Sequence, residues 1–474
     1  MRWLRISVLA LAGALALAGV ALYLIGAGQL VRTARGPEIP KPLAGVSPHR
    51  MQVILFRDTV LANERGATRT QLNAFDAFTR ELYWRSDGLS GERLTLEYSR
   101  GLALFDNAHT TVIDPKVKRG ALRLHWFADG LYVVKAAPAL EPVLGARVVA
   151  IEGRDPEELL KLLVPYVPGV DGWRRYRSEA LFTAPSMLRA LGASTDETSL
   201  LLDFEKPGQP RARLAIAVEA APPPGDAFRE FRHLFPGDES FGTKGWLRAG
   251  DAIAAKPLYL SQLPNPFARA WLADLGAEYV RLDGSNSTRE IDLPSFLDAT
   301  IDEIRAHGAR HAIVDLRFDW GGNYMLARQF APKLADAVPA DGKIFLVTGP
   351  NTFSAGLILA ARIKHFAGDR VVLVGEPVGD RLQFWAEGLD VELPPNNPEL
   401  YLSTALHDLA NGCRWLDRDC FILDKFFPAA AGSLEVAVPA RNTFADYMAG
   451  RDNALERIAE TIRGMQRRSS AHDR

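Results

Sequence analysis

The fold is decided by the segment His311-Ala312-Ile313-Val314-Asp315-Leu316-Arg317-Phe318-Asp319-Trp320-Gly321-Gly322. Its first half is a short apolar run that predicts a buried strand, and a Gly-Gly pair follows soon after. Further strand-like and helix-like runs alternate around this segment, at residues 277–282, 293–306, 325–334, 343–348, 354–366 and 370–374. Strands that alternate with helices of ten or more residues predict right-handed βαβ units and a largely parallel sheet. The sequence therefore predicts an α/β protein.

The first half of the chain predicts a different organisation. Four prolines between residues 33 and 50 indicate a linker. Residues 72–84 carry large apolar side chains at helical spacing. Short β-rich runs bounded by glycines lie between residues 122 and 151, and two more strand-like runs follow before residue 220. The chain closes with an amphipathic run at 446–466 that predicts a final helix.

Length and charge limit the class of protein. The chain has 474 residues, which predicts two to four domains. Lys and Arg total 56 and Asp and Glu total 57, which gives a net charge of -1. With this balance and no local basic patch, no nucleic-acid partner is expected. Two cysteines exclude a zinc site of four thiolates and a disulfide-scaffold protein, and no metal or cofactor is expected.

The N-terminus carries a signal for the membrane. Arg2 and Arg5 precede a charge-free, apolar run from Ile6 to Leu30. About 20 apolar residues span a bilayer as a helix, whereas the apolar part of a signal peptide has about 7–15. The run is nearer the spanning length, so we expect residues 1–32 to be a signal or membrane anchor that stays uncleaved. A cleaved signal peptide and a buried helix are the alternatives.

The two cysteines bear on the compartment. Cys413 and Cys420 are close in sequence, and a disulfide between them would stabilise the chain by about 2–3 kcal/mol. Two unpaired thiols are the alternative. Disulfides persist outside the cytosol. Together with the N-terminal run, this pattern predicts a body anchored to an inner membrane or lying in the periplasm.

Three segments that carry polar residues follow strands of the predicted sheet, at residues 315–323, 349–356 and 374–380. In parallel sheets, sites gather outside the carboxyl ends of the strands, so we expect these segments to meet. Ser354 lies where a strand turns into a helix, which places the Ala355 amide at the positive end of that helix. Taken singly, such a serine is most often an N-cap and a Gly-Gly pair a turn. The absence of a Gly-x-Ser-x-Gly elbow disfavours an ordinary α/β-hydrolase.

The order of these motifs resembles the C-terminal-processing (tail-specific) serine peptidase family, and is closer to its tricorn-core-like branch. The core motifs are Asp315-Leu316-Arg317…Gly321-Gly322, Thr352-Phe353-Ser354-Ala355-Gly356 and Val374-Gly375-Glu376-Pro377. Two upstream segments, Asp106-Asn107-Ala108-His109-Thr110 and 144–153, also resemble parts of this family, and the second is similar to part of its PDZ-like domain.

The resemblance implies a fold and a set of site residues. The fold would be a crotonase-like (ClpP-type) core of ββα units with a PDZ-like domain and an N-terminal helical segment. Ser354 would be the acylating nucleophile. The amides of Gly322 and Ala355 would form the oxyanion hole, with Gly321 shaping the turn.

The general base departs from the pattern of many family members, which pair the serine with a lysine near the position of Asp380 and Arg381. No lysine occurs there. Lys364 is ten residues beyond Ser354 on one predicted helix, about 15 Å along its axis, which is too far for proton transfer. His109 is the better candidate, because a neutral imidazole can accept the serine proton near neutral pH and the tricorn branch has a histidine in the corresponding motif.

The sequence leaves two points at the site open. A structural role for His109 is the alternative to its role as a base. The acid that would orient this histidine stays open among Glu376, Asp380 and Glu387, for each of which a surface ion pair is the ordinary interpretation.

We expect four parts: the anchor at 1–32, an N-terminal helical domain at 33–115, a PDZ-like domain at 116–235 and a peptidase core at 240–466. The expected function is a serine-type peptidase that hydrolyses exported polypeptides through an acyl-enzyme on Ser354. A catalytically inactive binding or scaffold module and an esterase are the alternatives. The expected partners are a peptide or protein substrate and the membrane, and the oligomeric state is open.

Overall fold

The computed structural model describes residues 13–23, 25–38, 41, 43–112, 117–218, 229–261, 265–393 and 398–472. The predicted anchor lies partly outside these ranges, because residues 1–12 and 24 are not among them. Residues 13–23 are helical and exposed. Across the described ranges, no helix is long and apolar enough to cross a membrane.

The chain is a mixed α/β protein with several sheets. In chain order its helices lie at residues 13–23 (α1), Gly28–Arg35 (α2), Pro48–Asn63 (α3), Arg69–Arg85 (α4), Gly91–Ala103 (α5), Pro156–Leu162 (α6), Asp171–Leu181 (α7), Pro185–Ala190 (α8), Leu293–Ala306 (α9), Phe330–Ala337 (α10), Ala355–Ala367 (α11), Ile422–Phe426 (α12), Phe444–Met448 (α13) and Asn453–His472 (α14). Its strands lie at Thr111–Val112 (β1), Leu122–Phe127 (β2), Gly130–Ala136 (β3), Arg147–Ile151 (β4), Ser199–Glu205 (β5), Ala212–Ala217 (β6), Leu247–Arg248 (β7), Phe267–Leu272 (β8), Ala277–Leu282 (β9), His311–Asp315 (β10), Ile344–Thr348 (β11), Val371–Gly375 (β12), Gln383–Ala386 (β13), Leu389–Glu392 (β14), Glu399–Leu402 (β15), Ala405–Asp408 (β16) and Val438–Pro439 (β17).

A six-stranded sheet forms the centre of the C-terminal half, in the order β17-β12-β11-β10-β9-β8. Its neighbouring strands are parallel except for β8 and β9, so the predicted parallel sheet is confirmed. Helices α9, α10 and α11 pack on one face and α14 packs on the other, each through a buried apolar cluster. Because β10, β11 and β12 run in the same direction, the loops that follow them meet at one edge of the sheet.

Two predicted helices differ from the structure. The helix predicted at 325–334 is divided into a 3-10 turn at Tyr324–Ala327 and α10. The helix predicted at 446–466 is two helices, α13 and α14, which are separated near Gly450, whose φ is +68°. A Cβ at Gly450 would lie 2.2 Å from the Ala255 carbonyl oxygen, so packing against a distant segment requires glycine at this break.

The N-terminal half contributes two further layers. An antiparallel sheet in the order β2-β3-β4-β5-β6 occupies the region predicted to be PDZ-like, and α7 packs on β2. Helices α3, α4 and α5 share an apolar cluster with β14 and β15, and β1 pairs antiparallel with β15. The N-terminal helices therefore pack directly on the C-terminal half, while the proposed domain boundaries stay a prediction.

The start of α11 fits closely against the loop that follows β10. The Phe353 N–H donates to the Asp319 carbonyl oxygen at 3.0 Å. Gly356, in the first turn of α11, faces the same residue, and a Cβ there would lie 2.3 Å from that oxygen. A main-chain oxygen cannot move aside as a flexible side chain could. Glycine at this position therefore permits the loops after β10 and β11 to pack together.

Cys413 and Cys420 form a disulfide, as predicted, and the loop that it closes contacts the N-terminal segment. The side-chain amide of Gln29 donates to the main-chain carbonyls of residues 418, 419 and 420. Lys425 Nζ donates to the Ile25 carbonyl at 2.9 Å and to two carbonyls within the loop. Residues 25–29 are thus docked on the disulfide loop.

The first prediction concerns this disulfide. Protein from an oxidising compartment should have no alkylatable thiol before reduction, as intact-mass analysis would show. Reduction should lower the free energy of unfolding by about 2–3 kcal/mol, because the reduced unfolded chain regains conformational entropy. A chain carrying Cys413→Ser and Cys420→Ser is the control and should not respond to reductant. Two reactive thiols in the untreated protein would contradict the prediction.

The second prediction concerns the fit of α11. Gly356→Ala should lower the free energy of unfolding by about 3 kcal/mol, because the new methyl group meets a fixed main-chain oxygen. Gly464→Ala is the matched control: Gly464 also lies within a helix, α14, but a Cβ there has no atom within 4 Å. This control should stabilise the chain by about 0.5–1 kcal/mol. Denaturant unfolding measures both, and equal effects would show that the packing argument is wrong.

Candidate active site

The loops after β10, β11 and β12 are joined through one residue, Thr352. Its hydroxyl donates to the Leu316 carbonyl at 2.8 Å, which connects it to the loop after β10. Its carbonyl accepts from the Gly379 N–H at 3.0 Å, which connects it to the loop after β12. The predicted site segments therefore lie together at one edge of the sheet.

Ser354 has an unusual backbone conformation. Its φ is +52° and its ψ is −120°, a region that costs a residue with a side chain about 1–3 kcal/mol. Although Ser354 occupies the N-cap position of α11, its side chain makes no capping hydrogen bond. The ordinary interpretation of such a serine as a helix cap therefore does not apply. A strained turn from strand to helix is also how α/β-hydrolases present their nucleophile.

The Gly321-Gly322 turn borders Ser354. Both glycines have positive φ, +125° and +135°. A Cβ at Gly321 would lie 2.8 Å from Ser354 Cβ and 3.6 Å from the Ala355 amide nitrogen, so glycine is required for this approach. The Gly321 carbonyl accepts from the Ser285 N–H at 2.8 Å. Since the two polar groups of a trans peptide point in opposite directions, the Gly322 N–H points away from Ser285.

His109 is paired with one of the three acids that the sequence left open. Its Nδ1 lies 3.2 Å from Asp380 Oδ2, and both side chains are buried. A carboxylate only accepts hydrogen bonds, so Nδ1 donates to Asp380, and in the neutral ring this tautomer leaves Nε2 as an acceptor. Nε2 is buried and has no hydrogen-bond partner within the described ranges. The imidazole is therefore oriented by Asp380 with an unused acceptor.

Stacked aromatic rings fix the plane of the His109 imidazole. The Phe353 ring lies on one side, with centroids 4.3 Å apart, and the Phe384 ring lies on the other at 4.8 Å. The stack continues from Phe353 to Trp173 of α7 at 4.2 Å, and from Phe384 to His407 at 5.0 Å. Phe353 adjoins Ser354 in sequence. The ring stack therefore places His109 against residues 349–354, the loop between β11 and α11 that carries Ser354 and is called the serine loop below.

A buried polar network holds the loop that carries His109. The Asn107 side chain donates to the Trp385 carbonyl at 2.9 Å, and the Thr110 hydroxyl donates to Glu64 at 3.0 Å. Glu64 also accepts from the Ser403 N–H. Burial raises the pKa of Glu64 to about 7. The loop is thus attached to β13, to the residue that follows α3 and, through it, to the residue that follows β15.

Two further ionisable side chains near the site have shifted pKa values. Burial raises the pKa of Asp319, which precedes the Gly-Gly turn, to about 8. Burial disfavours a charge on His407, but Asp424 and Glu387 outweigh it and raise the pKa of His407 to about 10. A carboxyl group that favours its neutral form and an imidazole that favours its charged form therefore adjoin Phe353 and Phe384, the two rings that stack on His109.

Other candidates from the sequence have separate partners. Glu376 pairs with Arg441 at 3.0 Å, and Glu387 lies 3.3 Å from His407. Lys364 Nζ donates to the Gly368 carbonyl at the far end of α11. This position agrees with the sequence argument that Lys364 is too far from Ser354 to accept its proton. Arg381 pairs with Asp106 at 2.8 Å, in the loop that precedes His109. Of the three acids, Asp380 is the one that contacts His109.

The arrangement can accept a proton at His109 Nε2 and hold the resulting imidazolium against Asp380. Gly321 and the Ala355 amide lie next to Ser354. The oxyanion hole formed by the amides of Gly322 and Ala355 stays a prediction. Throughout the described ranges, no group of three or more His, Cys, Asp and Glu side chains is arranged to hold a metal ion.

The whole fold was compared with known proteins. No protein-family model and no curated protein sequence matches the chain. Mature CPAF in complex with lactacystin superposes with a TM-score of 0.53 at 9% identity, over 88% of this chain and 97% of that one. Mature CPAF alone gives a TM-score of 0.52 at 9% identity, over 88% and 96%. The photosystem II D1 C-terminal processing protease gives a TM-score of 0.34 at 13% identity, over 76% and 87%. The chain therefore has the fold of mature CPAF, and the predicted resemblance to the C-terminal-processing serine peptidases is confirmed at the level of the fold.

Proposed function

We propose that the chain is a serine-type peptidase in which Ser354 is the nucleophile, His109 the general base and Asp380 the residue that orients the base. The observation that carries this proposal is the pairing of His109 Nδ1 with Asp380, which leaves Nε2 as an unused buried acceptor beside the serine loop. A buried acceptor without a partner is costly in a folded protein, which supports a role in proton transfer. The resemblance in motifs and in fold supports the same class of reaction.

In acylation, Ser354 Oγ attacks the carbonyl carbon of the scissile peptide bond while His109 Nε2 accepts its proton. The amides of Gly322 and Ala355 donate to the oxygen that becomes negative. The imidazolium then gives its proton to the leaving amine, and the C–N bond breaks. Water, activated by the same imidazole, hydrolyses the acyl-enzyme and restores Ser354.

The surroundings of His109 favour its charged intermediate. Asp380 accepts the Nδ1 proton in both states and is the opposite charge when the ring becomes an imidazolium. The faces of Phe353 and Phe384 present negative π-density to the same ring. These rings also exclude water, which strengthens the interaction between the imidazolium and Asp380.

We further propose that the core is crotonase-like, that the antiparallel sheet is the PDZ-like domain, and that the substrates are exported polypeptides. The disulfide between Cys413 and Cys420 supports an oxidising compartment. The apolar run at the N-terminus and the exposed apolar side chains of α1 support a membrane location.

The third prediction tests the catalytic unit. Ser354→Ala and His109→Ala should each lose about 1000-fold or more in the rate of casein hydrolysis. The double variant should lose about as much as either single one, because groups that act as a unit are not additive. Asp380→Asn should lose about 100-fold or more, since an amide can hold the wrong tautomer of the ring. His365→Ala, on the far part of the helix that follows Ser354, is the control and should keep its rate.

Labelling with a fluorophosphonate probe separates the possible results. Probe attachment at Ser354 with ester but not peptide hydrolysis would identify an esterase. An intact, folded chain that neither reacts with the probe nor cleaves casein would be a binding module. Full activity in Ser354→Ala would refute the proposed nucleophile.

The fourth prediction concerns location. The full-length chain should stay in the membrane pellet after a carbonate wash, because about 20 apolar residues are enough to cross the hydrocarbon core. N-terminal sequencing of the same material should find residues 1–30 still attached. Release into the wash, or a mature N-terminus near residue 30, would contradict the anchor.

A further inference from the structure

The carboxyl group of Asp319 is buried in the proposed site, and no counter-ion for it lies in the part of the chain that the structure describes. Its side chain is fully buried, and its partners are the Ser285 hydroxyl at 3.0 Å and the Gly321 N–H at 3.2 Å. Nearby ion pairs join Asp283 to Arg281 and Asp315 to Arg317. Within the described ranges none of the ion pairs involves Asp319. An isolated buried carboxylate is much more costly than a neutral carboxyl group.

The charges around Asp319 also favour the neutral form. Asp283, on the segment after β9, lies close enough to oppose a negative charge on Asp319. Burial raises the pKa of Asp283 itself to about 7, and four charged residues also act on it, namely Arg281, Asp315, Arg232 and Arg317. The first turn of α11 packs against Asp319 through Gly356. The partial positive charge at the N-terminus of α11 favours the ionised form of Asp319, but its effect is weaker than that of a full counter-ion.

Asp319 contacts both halves of the proposed catalytic machinery. Its side chain accepts from the Gly321 N–H, and Ser285, its other partner, donates its own N–H to the Gly321 carbonyl. Its main-chain carbonyl accepts from the N–H of Phe353, which precedes Ser354. A substitution at Asp319 would therefore alter the contacts of both the Gly321-Gly322 turn, called the oxyanion turn below, and the serine loop.

We propose that Asp319 is a positioning residue that holds the oxyanion turn as a neutral, protonated carboxyl group. In this form its O–H donates to Ser285 Oγ and its other oxygen accepts from the Gly321 N–H. A side-chain amide has the same shape, with one donor and one acceptor in these places, and carries no charge. Ionisation of Asp319 at high pH places an unpaired charge under the turn and weakens catalysis.

The rate experiment compares Asp319→Asn and Asp319→Ala with the unchanged chain between pH 6 and 9.5. In the unchanged chain the second-order rate of fluorophosphonate attachment to Ser354 should fall about tenfold between pH 7.5 and 9.5. Asp319→Asn should stay within about threefold of the unchanged chain at pH 7 and should lack this fall. Asp319→Ala leaves the Gly321 N–H without its partner and should lose about tenfold or more at every pH.

A second measurement does not depend on the proposed peptidase function. In the unfolded chain Asp319 ionises near pH 4, whereas burial raises its folded pKa to about 8. Between these values the folded state binds more protons than the unfolded state, so stability falls as pH rises. The Tm of the unchanged chain, measured relative to that of Asp319→Asn, should therefore fall by about 3 °C or more from pH 5 to 8 and then level off. Asp302→Asn, at an exposed carboxylate, is the control and should show a flat difference.

The outcomes distinguish a failure of the proposed peptidase function from a failure of the proposed neutral carboxyl group at Asp319. If the unchanged chain fails to react with the probe while the Tm difference falls with pH, the peptidase function is wrong and the neutral carboxyl group stands. A flat Tm difference, an Asp319→Asn chain that does not fold, or a fall in rate above pH 7.5 that persists in Asp319→Asn would each overturn the proposal.

Discussion

The stacking of His109 between Phe353 and Phe384 is the interaction on which the candidate site depends. The two phenyl rings hold the imidazole in a single plane between them. The hydrogen bond to Asp380 then fixes the orientation of the ring within that plane. Each stacked pair contributes about 0.5–1.5 kcal/mol beyond its buried area. The rings come from the serine loop and from β13, and Trp173 extends the stack to α7. His109 is therefore positioned by elements that are far apart in sequence, so its placement depends on the tertiary fold.

The strain at Ser354 persists because its neighbours on both sides are fixed. Thr352 is tied to the loops after β10 and β12, and the Phe353 N–H is bound by the Asp319 carbonyl. Beyond the serine, Gly356 permits the first turn of α11 to pack directly on that carbonyl. With both flanks held, relaxation of Ser354 would break several hydrogen bonds, which together exceed the cost of one strained residue.

The sequence predicted those features that depend on local pattern. Apolar runs between residues 277 and 375 predicted the strands and helices of the parallel sheet, and the shared direction of the strands then brought Ser354 and the Gly-Gly turn to one edge. Asp380 could not be chosen over Glu376 and Glu387, because the choice is made by their other partners, Arg441 and His407.

The features that the sequence did not predict depend on distant contacts. Phe384 and Trp173 read as ordinary core aromatics, and nothing in their local pattern shows that they share a stack with His109. The helix predicted at 446–466 is interrupted near Gly450, because the carbonyl of Ala255, about 200 residues earlier in the chain, lies against that glycine. Asp319 lies between recognisable motif residues, but that it has no counter-ion depends on burial and tertiary packing.

The docking of residues 25–29 on the loop closed by Cys413 and Cys420 joins an N-terminal segment to a loop of the C-terminal half in one surface. The Gln29 side-chain amide donates to main-chain carbonyls of this loop, and the Ile25 carbonyl accepts from Lys425 Nζ. Without these contacts, water would have to satisfy the same groups. A proteolytic cut after residue 30 would therefore also change this surface. It would remove the partners that Gln29 and Ile25 provide to the carbonyls of residues 418–420 and to the ammonium group of Lys425. The processed and unprocessed forms would differ in a surface that an antibody or a partner could distinguish.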